Sequence, residues 1–131
     1  FNDIIQMNNG LYTEKFSYQP ITGRVYGYFD ENQPFKKIYM GNIRNGKREG
    51  KWNFYFHSTG SKRYEYNYKD GLEDGLQTEW YKSGQKRIEW IWKNGESVEF
   101  GTSWYENGKI RAKGNLKKGE VIWNEGGSLK E

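Results

Sequence analysis

Cysteine is absent from this 131-residue chain, which excludes disulfides, thiol catalysis and cysteine metal sites and leaves the redox compartment unreadable. Histidine occurs once, at His57, so no histidine pair with metal-ligand spacing exists. Apolar residues are scarce, at 34% of the chain with a mean hydropathy of -1.14, and no apolar run approaches bilayer-crossing length. No segment carries the i, i+3, i+4 spacing of an amphipathic helix. Nucleophile-elbow and phosphate-loop motifs are missing, and Asn45-Gly46-Lys47-Arg48 reads as a turn with basic residues. Asp70 and Asp74 flank a glycine loop but are replaced by Asn94 and Val98, then Lys118 and Ile122, so no calcium site repeats. No catalytic residue, metal ligand or cofactor is expected.

What is present is aromatic. Tyr, Trp and Phe supply 18% of the residues, which argues against disorder and for a pleated, half-buried β-surface. The length suits a single domain. A net charge of +4 and a pI near 9.1 permit an acidic partner, although 21 basic against 17 acidic residues is also the balance of an ordinary solvated surface. The chain opens on Phe1 rather than Met, which raises the expectation of a removed upstream segment and of export or cell-surface placement.

Glycines expose a repeat. Gly60, Gly84 and Gly108 recur every 24 residues, as do Gly71, Gly95 and Gly119, and Lys69, Lys93 and Lys117 keep the same period. Arg63, Arg87 and Arg111 follow it too, and the doublets Phe56-His57, Trp80-Tyr81 and Trp104-Tyr105 align with them. Asn45-Gly46 lies 25 residues before Asp70-Gly71 and extends the series upstream. The pattern divides the chain into a degenerate first hairpin over 1–22, repeats over 23–49, 50–74, 75–98 and 99–119, and a short terminal unit over 120–131.

Each unit alternates two stretches with the period of two that marks strands, such as residues 52–56 and 64–68. The predicted fold is all-β, an elongated twisted antiparallel meander of about five tandem β-hairpins. One connection is a tight three-residue loop closed by left-handed Gly84 or Gly108; the other is a longer loop bracketed by Gly71 and Gly75. Counting outward from the tight loop pairs Tyr81 with Gln85, Trp80 with Lys86, Glu79 with Arg87 and Thr78 with Ile88. That register puts Leu76, Thr78, Trp80, Ile88, Trp90 and Trp92 on one face, with Trp52, Phe54, Phe56, Tyr64, Tyr66 and Tyr68 before them. The other face then carries Tyr55, Arg63, Glu65, Glu79, Arg87, Glu89 and Arg111.

Read from the second strand, one unit runs Tyr39-Met-Gly41-Asn-Ile43-Arg-Asn-Gly46-Lys-Arg-Glu-Gly50 and the next Tyr64-Glu-Tyr-Asn-Tyr68-Lys-Asp-Gly71-Leu-Glu-Asp-Gly75. This resembles the MORN repeat, and more closely the variant in bacterial YwqK-family antitoxin-like proteins, over about residues 11 to 131. The inner glycine of that pattern stands at Gly41 and Gly114 but is Tyr66 and Trp90 between them, and Glu99 and Trp123 replace the second glycine. The resemblance implies a scaffold that binds proteins and, in some members, acidic lipids.

Two stripes are candidate binding surfaces. Arg63, Arg87 and Arg111 are expected to recur about every 9.5 Å, beside Lys62, Lys86 and Lys109, with Tyr81 and Tyr105 nearby. Trp80 and Trp104 belong to the aromatic stripe, which a single-layer sheet leaves uncovered unless it curls or a partner docks. Each stripe has a plainer reading: the arginines pair with Glu65, Glu79 and Glu89 across strands, and the aromatics are the thin array's only core. His57, aligned with Tyr81 and Tyr105, reads as a surface strand residue. The expected function is non-catalytic protein binding, antitoxin-like or surface-associated. Nucleic acid and anionic membrane fit the same basic ladder as alternative partners. Oligomeric state is unread.

Overall fold

The computed structural model describes residues 4–6, 12–14, 19–28, 37–115 and 120–121. These are all-β, with no helix among them. The strands are β1 (Ile4–Gln6), β2 (Tyr12–Glu14), β3 (Gly23–Tyr28), β4 (Lys37–Arg44), β5 (Lys47–Tyr55), β6 (Lys62–Lys69), β7 (Leu72–Glu73), β8 (Gly75–Trp80), β9 (Lys86–Lys93), β10 (Glu96–Trp104), β11 (Ile110–Asn115) and β12 (Glu120–Val121). β1 and β2 pair as the degenerate front hairpin. The remaining strands form one open antiparallel meander in chain order, with β7 pairing β6 beside β8. The residues of the terminal unit beyond Val121, Trp123 included, lie outside the described residues, as do Lys117 and Gly119.

Two kinds of turn alternate. Asn45-Gly46, Asp70-Gly71 and Asn94-Gly95 have φ of 49° and 78°, 50° and 82°, and 49° and 81°. Two successive left-handed residues define type I′ hairpins, which Asx-Gly pairs favour. The glycine-bracketed loop expected here is therefore a two-residue turn, and Leu72 and Glu96 just beyond it are already paired with Lys69 and Lys93. The strand then swells, residues 74–77 facing only 66–67 and residues 98–100 facing Ile91 alone.

At the opposite edge the three-residue loop holds as expected. Gly84 and Gly108 have φ of 91° and 86°, and the Tyr81 and Tyr105 N–H groups donate to the Gln85 and Lys109 carbonyls at 2.9 and 2.8 Å. The first such loop is one residue longer, since the Phe56 N–H donates to the Ser61 carbonyl at 2.9 Å. Hence Tyr55-Phe56, not Phe56-His57, is the counterpart of Trp80-Tyr81 and Trp104-Tyr105. His57 sits exposed in the turn rather than on a strand.

The register departs from simple counting at one recurring place. Trp80 pairs with Lys86 as expected, but Glu79 pairs with Ile88 and Thr78 with Glu89. Arg87 is the extra residue of a β-bulge, as are Arg63 between the Tyr55–Lys62 and Phe54–Tyr64 pairs and Arg111 between the Trp104–Ile110 and Ser103–Ala112 pairs. A one-residue slip exchanges the faces of everything beyond it. Trp80 and Trp104 consequently lie on the face opposite Trp90 and Trp92, while Glu79 joins the aromatic side. The set Trp52, Phe54, Tyr64, Tyr66 and Tyr68 stays together, since Trp52 faces Tyr66 and Phe54 faces Tyr64.

The core is small and lies toward the N-terminal end. Ile43, Trp52 and Tyr68 are buried, with Tyr12, Ile21, Val25, Met40, Phe54 and Tyr66 packed around them. A Cβ on Gly41 would come within 2.5 Å of the Trp52 ring, so the inner glycine of the repeat is the seat of that indole. Units are tied through their I′ turns. The N–H groups of Gly46, Gly71 and Gly95 donate to the carbonyls of Ile21, Arg48 and Glu73 of the preceding unit. The adjoining N–H groups of Asn45, Asp70 and Asn94 donate to side-chain oxygens of Thr22, Glu49 and Asp74.

Candidate functional site

The front face of the sheet carries two aromatic clusters built from equivalent positions of successive units. In the first, β5 places Arg48 among four rings, its guanidinium carbon 4.9 Å from the centroid of Trp52, 5.3 Å from Tyr68, 5.5 Å from Phe54 and 5.7 Å from Tyr12. It donates to the Tyr68 and Tyr12 hydroxyls at 3.0 and 2.8 Å. Among the described residues this cation sits against π-faces and phenol oxygens and pairs with no carboxylate. Burial pushes the Tyr68 phenol above its ordinary range, and the adjacent Arg48 charge pulls it partway back.

In the second cluster, Tyr66, Glu73, Gln77, Trp90 and Trp92 line a cleft of about 170 Å³. Gln77 is 2% exposed and bonds both backbone groups of Asn67: its amide NH2 donates to the Asn67 carbonyl, and its oxygen accepts from the Asn67 N–H, each at 2.9 Å. It thereby supplies the Asn67 N–H with the partner lost where β8 swells and joins the Asp74 N–H on the Asn67 carbonyl. Trp52 does half of this one unit earlier, its indole N–H donating to the Asn42 carbonyl at 2.9 Å. Burial, then the hydrogen bond from its hydroxyl to the Glu79 carboxylate, raises the Tyr66 phenol well above its usual range. The indole N–H groups of Trp90 and Trp92 are shielded and have no hydrogen-bond partner among the described residues.

The basic ladder is divided between the faces. Arg63 lies over Phe56 and Tyr64, at 5.3 and 4.8 Å from their centroids, on the aromatic side rather than opposite it. Arg87 approaches Glu79 at 3.7 Å, and Arg111 is exposed. On the back face, Lys62 lies over Trp80 and binds Glu65 at 3.2 Å, and Lys86 lies over Trp104 and binds Glu89 at 2.7 Å. This Lys-Trp-Glu unit repeats with the 24-residue period, but Ile110 takes the next lysine position; Lys109 falls in the loop, exposed. Tyr81 donates its hydroxyl to the Trp104 carbonyl at 2.8 Å and so serves as an inter-unit tie, and Tyr105 is half-buried.

One feature of the back face escaped sequence reasoning. Leu76 and Ile91 are register partners on β8 and β9, 44% and 50% exposed, and Phe100, 64% exposed, lines a shared cavity of about 220 Å³ with them. One unit earlier the positions of Leu76 and Ile91 are Lys51 and Asn67. The repeat alignment held this signal, since apolar residues enter there at positions that are polar in the preceding unit. Glu89 and Lys113 border the cavity.

Among the described residues no group of three or more His, Asp or Glu could hold a metal ion, and no helix is long and apolar enough to cross a membrane. No protein-family model, curated protein or solved structure matches the chain.

Proposed function

We propose that the chain is a non-catalytic protein-binding scaffold, a MORN-type repeat array of the antitoxin-like or cell-surface kind. One observation carries this reading: Leu76, Ile91 and Phe100 are large, exposed and adjacent, and Leu76 and Ile91 stand where the preceding unit has Lys51 and Asn67. Clustered exposed apolar side chains rimmed by charges of both signs fit an apolar segment of a protein partner. The back-face lysines favour a polyanion less, because Lys51, Lys62 and Lys86 already engage Glu65 and Glu89.

The test substitutes each position with the residue of an earlier unit, Leu76→Lys, Ile91→Asn and Phe100→Lys together, and compares capture from an extract of the producing cells. The wild-type chain is expected to retain a discrete protein that the variant does not. Retention of the same proteins by both chains contradicts the reading. RNA or anionic vesicles bound equally by both, with steep loss in salt, would instead support the basic-ladder alternative.

A further inference from the structure

We infer that the cleft between Tyr66, Glu73, Gln77, Trp90 and Trp92 is a receptor for a cationic side chain, a guanidinium or alkylammonium group supplied by a partner. The inference rests on the scaffold reading only for the source of that cation; its geometry lies on the opposite face from the Leu76 patch.

The argument comes from comparing two units. Arg48 and Glu73 are equivalent: each stands two residues after its turn glycine, and each gives its carbonyl to the next turn glycine. Around them, Tyr68 corresponds to Trp92, Trp52 to Gln77 and Gly41 to Tyr66. In the first unit the position among the rings is filled from within by the guanidinium of Arg48. In the second, the residue at that position has changed sign and a cavity of about 170 Å³ stands beside it. Glu73 takes part in no ion pair among the described residues, and nearby Lys93 is held by Asp74 at 3.6 Å. An aromatic-walled cleft with a carboxylate on its wall and no cation from the described residues in it suits a cation from outside, which gains both ring faces and a counter-charge. Glu73 is the positioning charge; Trp90 and Trp92 are the walls.

The experiment titrates the full chain with N-acetyl-arginine methylamide and N-acetyl-lysine methylamide, following the indole N–H resonances of all six tryptophans. The neutral citrulline analogue and tetramethylammonium serve as comparisons. The Trp90 and Trp92 resonances are expected to move with the arginine or lysine derivative and not with citrulline. Glu73→Gln, nearly isosteric, is expected to weaken the response about fivefold or more. Glu73→Arg is expected to fill the cleft as Arg48 fills its own, displacing both resonances in the free protein and abolishing the titration. The inference is overturned if citrulline moves the same resonances equally, if neither cation moves them, or if Glu73→Gln titrates like wild type. Tighter binding of tetramethylammonium than of either derivative overturns the assignment to a side chain. The Leu76→Lys, Ile91→Asn, Phe100→Lys variant is expected to keep the titration, so failure here and failure of the scaffold reading are separable.

Discussion

Arg48 does at the scale of one side chain what a larger core does elsewhere: it joins Tyr12 of the front hairpin to the first full units through two phenol hydrogen bonds and four ring faces. Arg48→Ala is expected to cost about 2–3 kcal/mol in urea unfolding. Arg48→Lys is expected to recover less than half of that, because a point ammonium cannot reach both hydroxyls and lie flat on Trp52. The raised phenols of Tyr66 and Tyr68 set an alkaline limit. Their ordinary value is 10.0, and the folded chain holds them protonated above it. The unfolded chain then binds fewer protons than the folded one, so the full contribution is present below about pH 10 and is lost as pH climbs toward the folded values. Urea midpoints are expected to fall steadily above about pH 10, and less steeply in Tyr66→Phe. None of this was legible in residue types alone: Arg48 reads as one more surface cation until the register brings the rings around it.

At the scale of the element, the I′ turns and the bulges share control of the sheet. The Asx-Gly turns were visible as turn chemistry, but their length was overestimated because the second glycine, Gly50 or Gly75, marks the kink that follows the turn. The φ of 73° and 106° at those glycines belongs to the kink. The bulges at Arg63, Arg87 and Arg111 left no mark in composition, since an extra residue in a strand requires neither glycine nor proline. That is why the three-residue loop and the Trp80–Lys86 pair were readable from the sequence, whereas which β8 residues share a face with Trp90 and Trp92 was not. Gln77 illustrates the repair such irregularity demands. Gln77→Ala would leave the Asn67 N–H without its partner and its carbonyl with the Asp74 N–H alone, and is expected to cost about 1–2 kcal/mol, with faster amide exchange localised at Asn67.

For the whole molecule, stability passes from unit to unit through the turn ties, as in other linear arrays. The ties at Asn45, Asp70 and Asn94 each use an oxygen-bearing side chain, Thr22, Glu49 and Asp74. Asp74→Ala is therefore expected to loosen β9–β10 while leaving β4–β6 protected in hydrogen exchange. The fold class and the repeat were legible because glycine spacing and alternation are local properties. The apolar patch showed only as a change of residue type at Leu76 and Ile91, because it becomes one surface only once strands β8, β9 and β10 lie side by side. The substitutions at Leu76, Ile91 and Phe100 are expected to change folding stability by no more than about 1 kcal/mol each, since these residues are about half exposed or more. The most direct measurement of the binding claim places a photo-crosslinking amino acid at Ile91 and, as a control, at exposed Thr59, in the producing cells. The account predicts a discrete protein adduct from position 91 and none from position 59. No adduct at 91, or the same products from both positions, would contradict it.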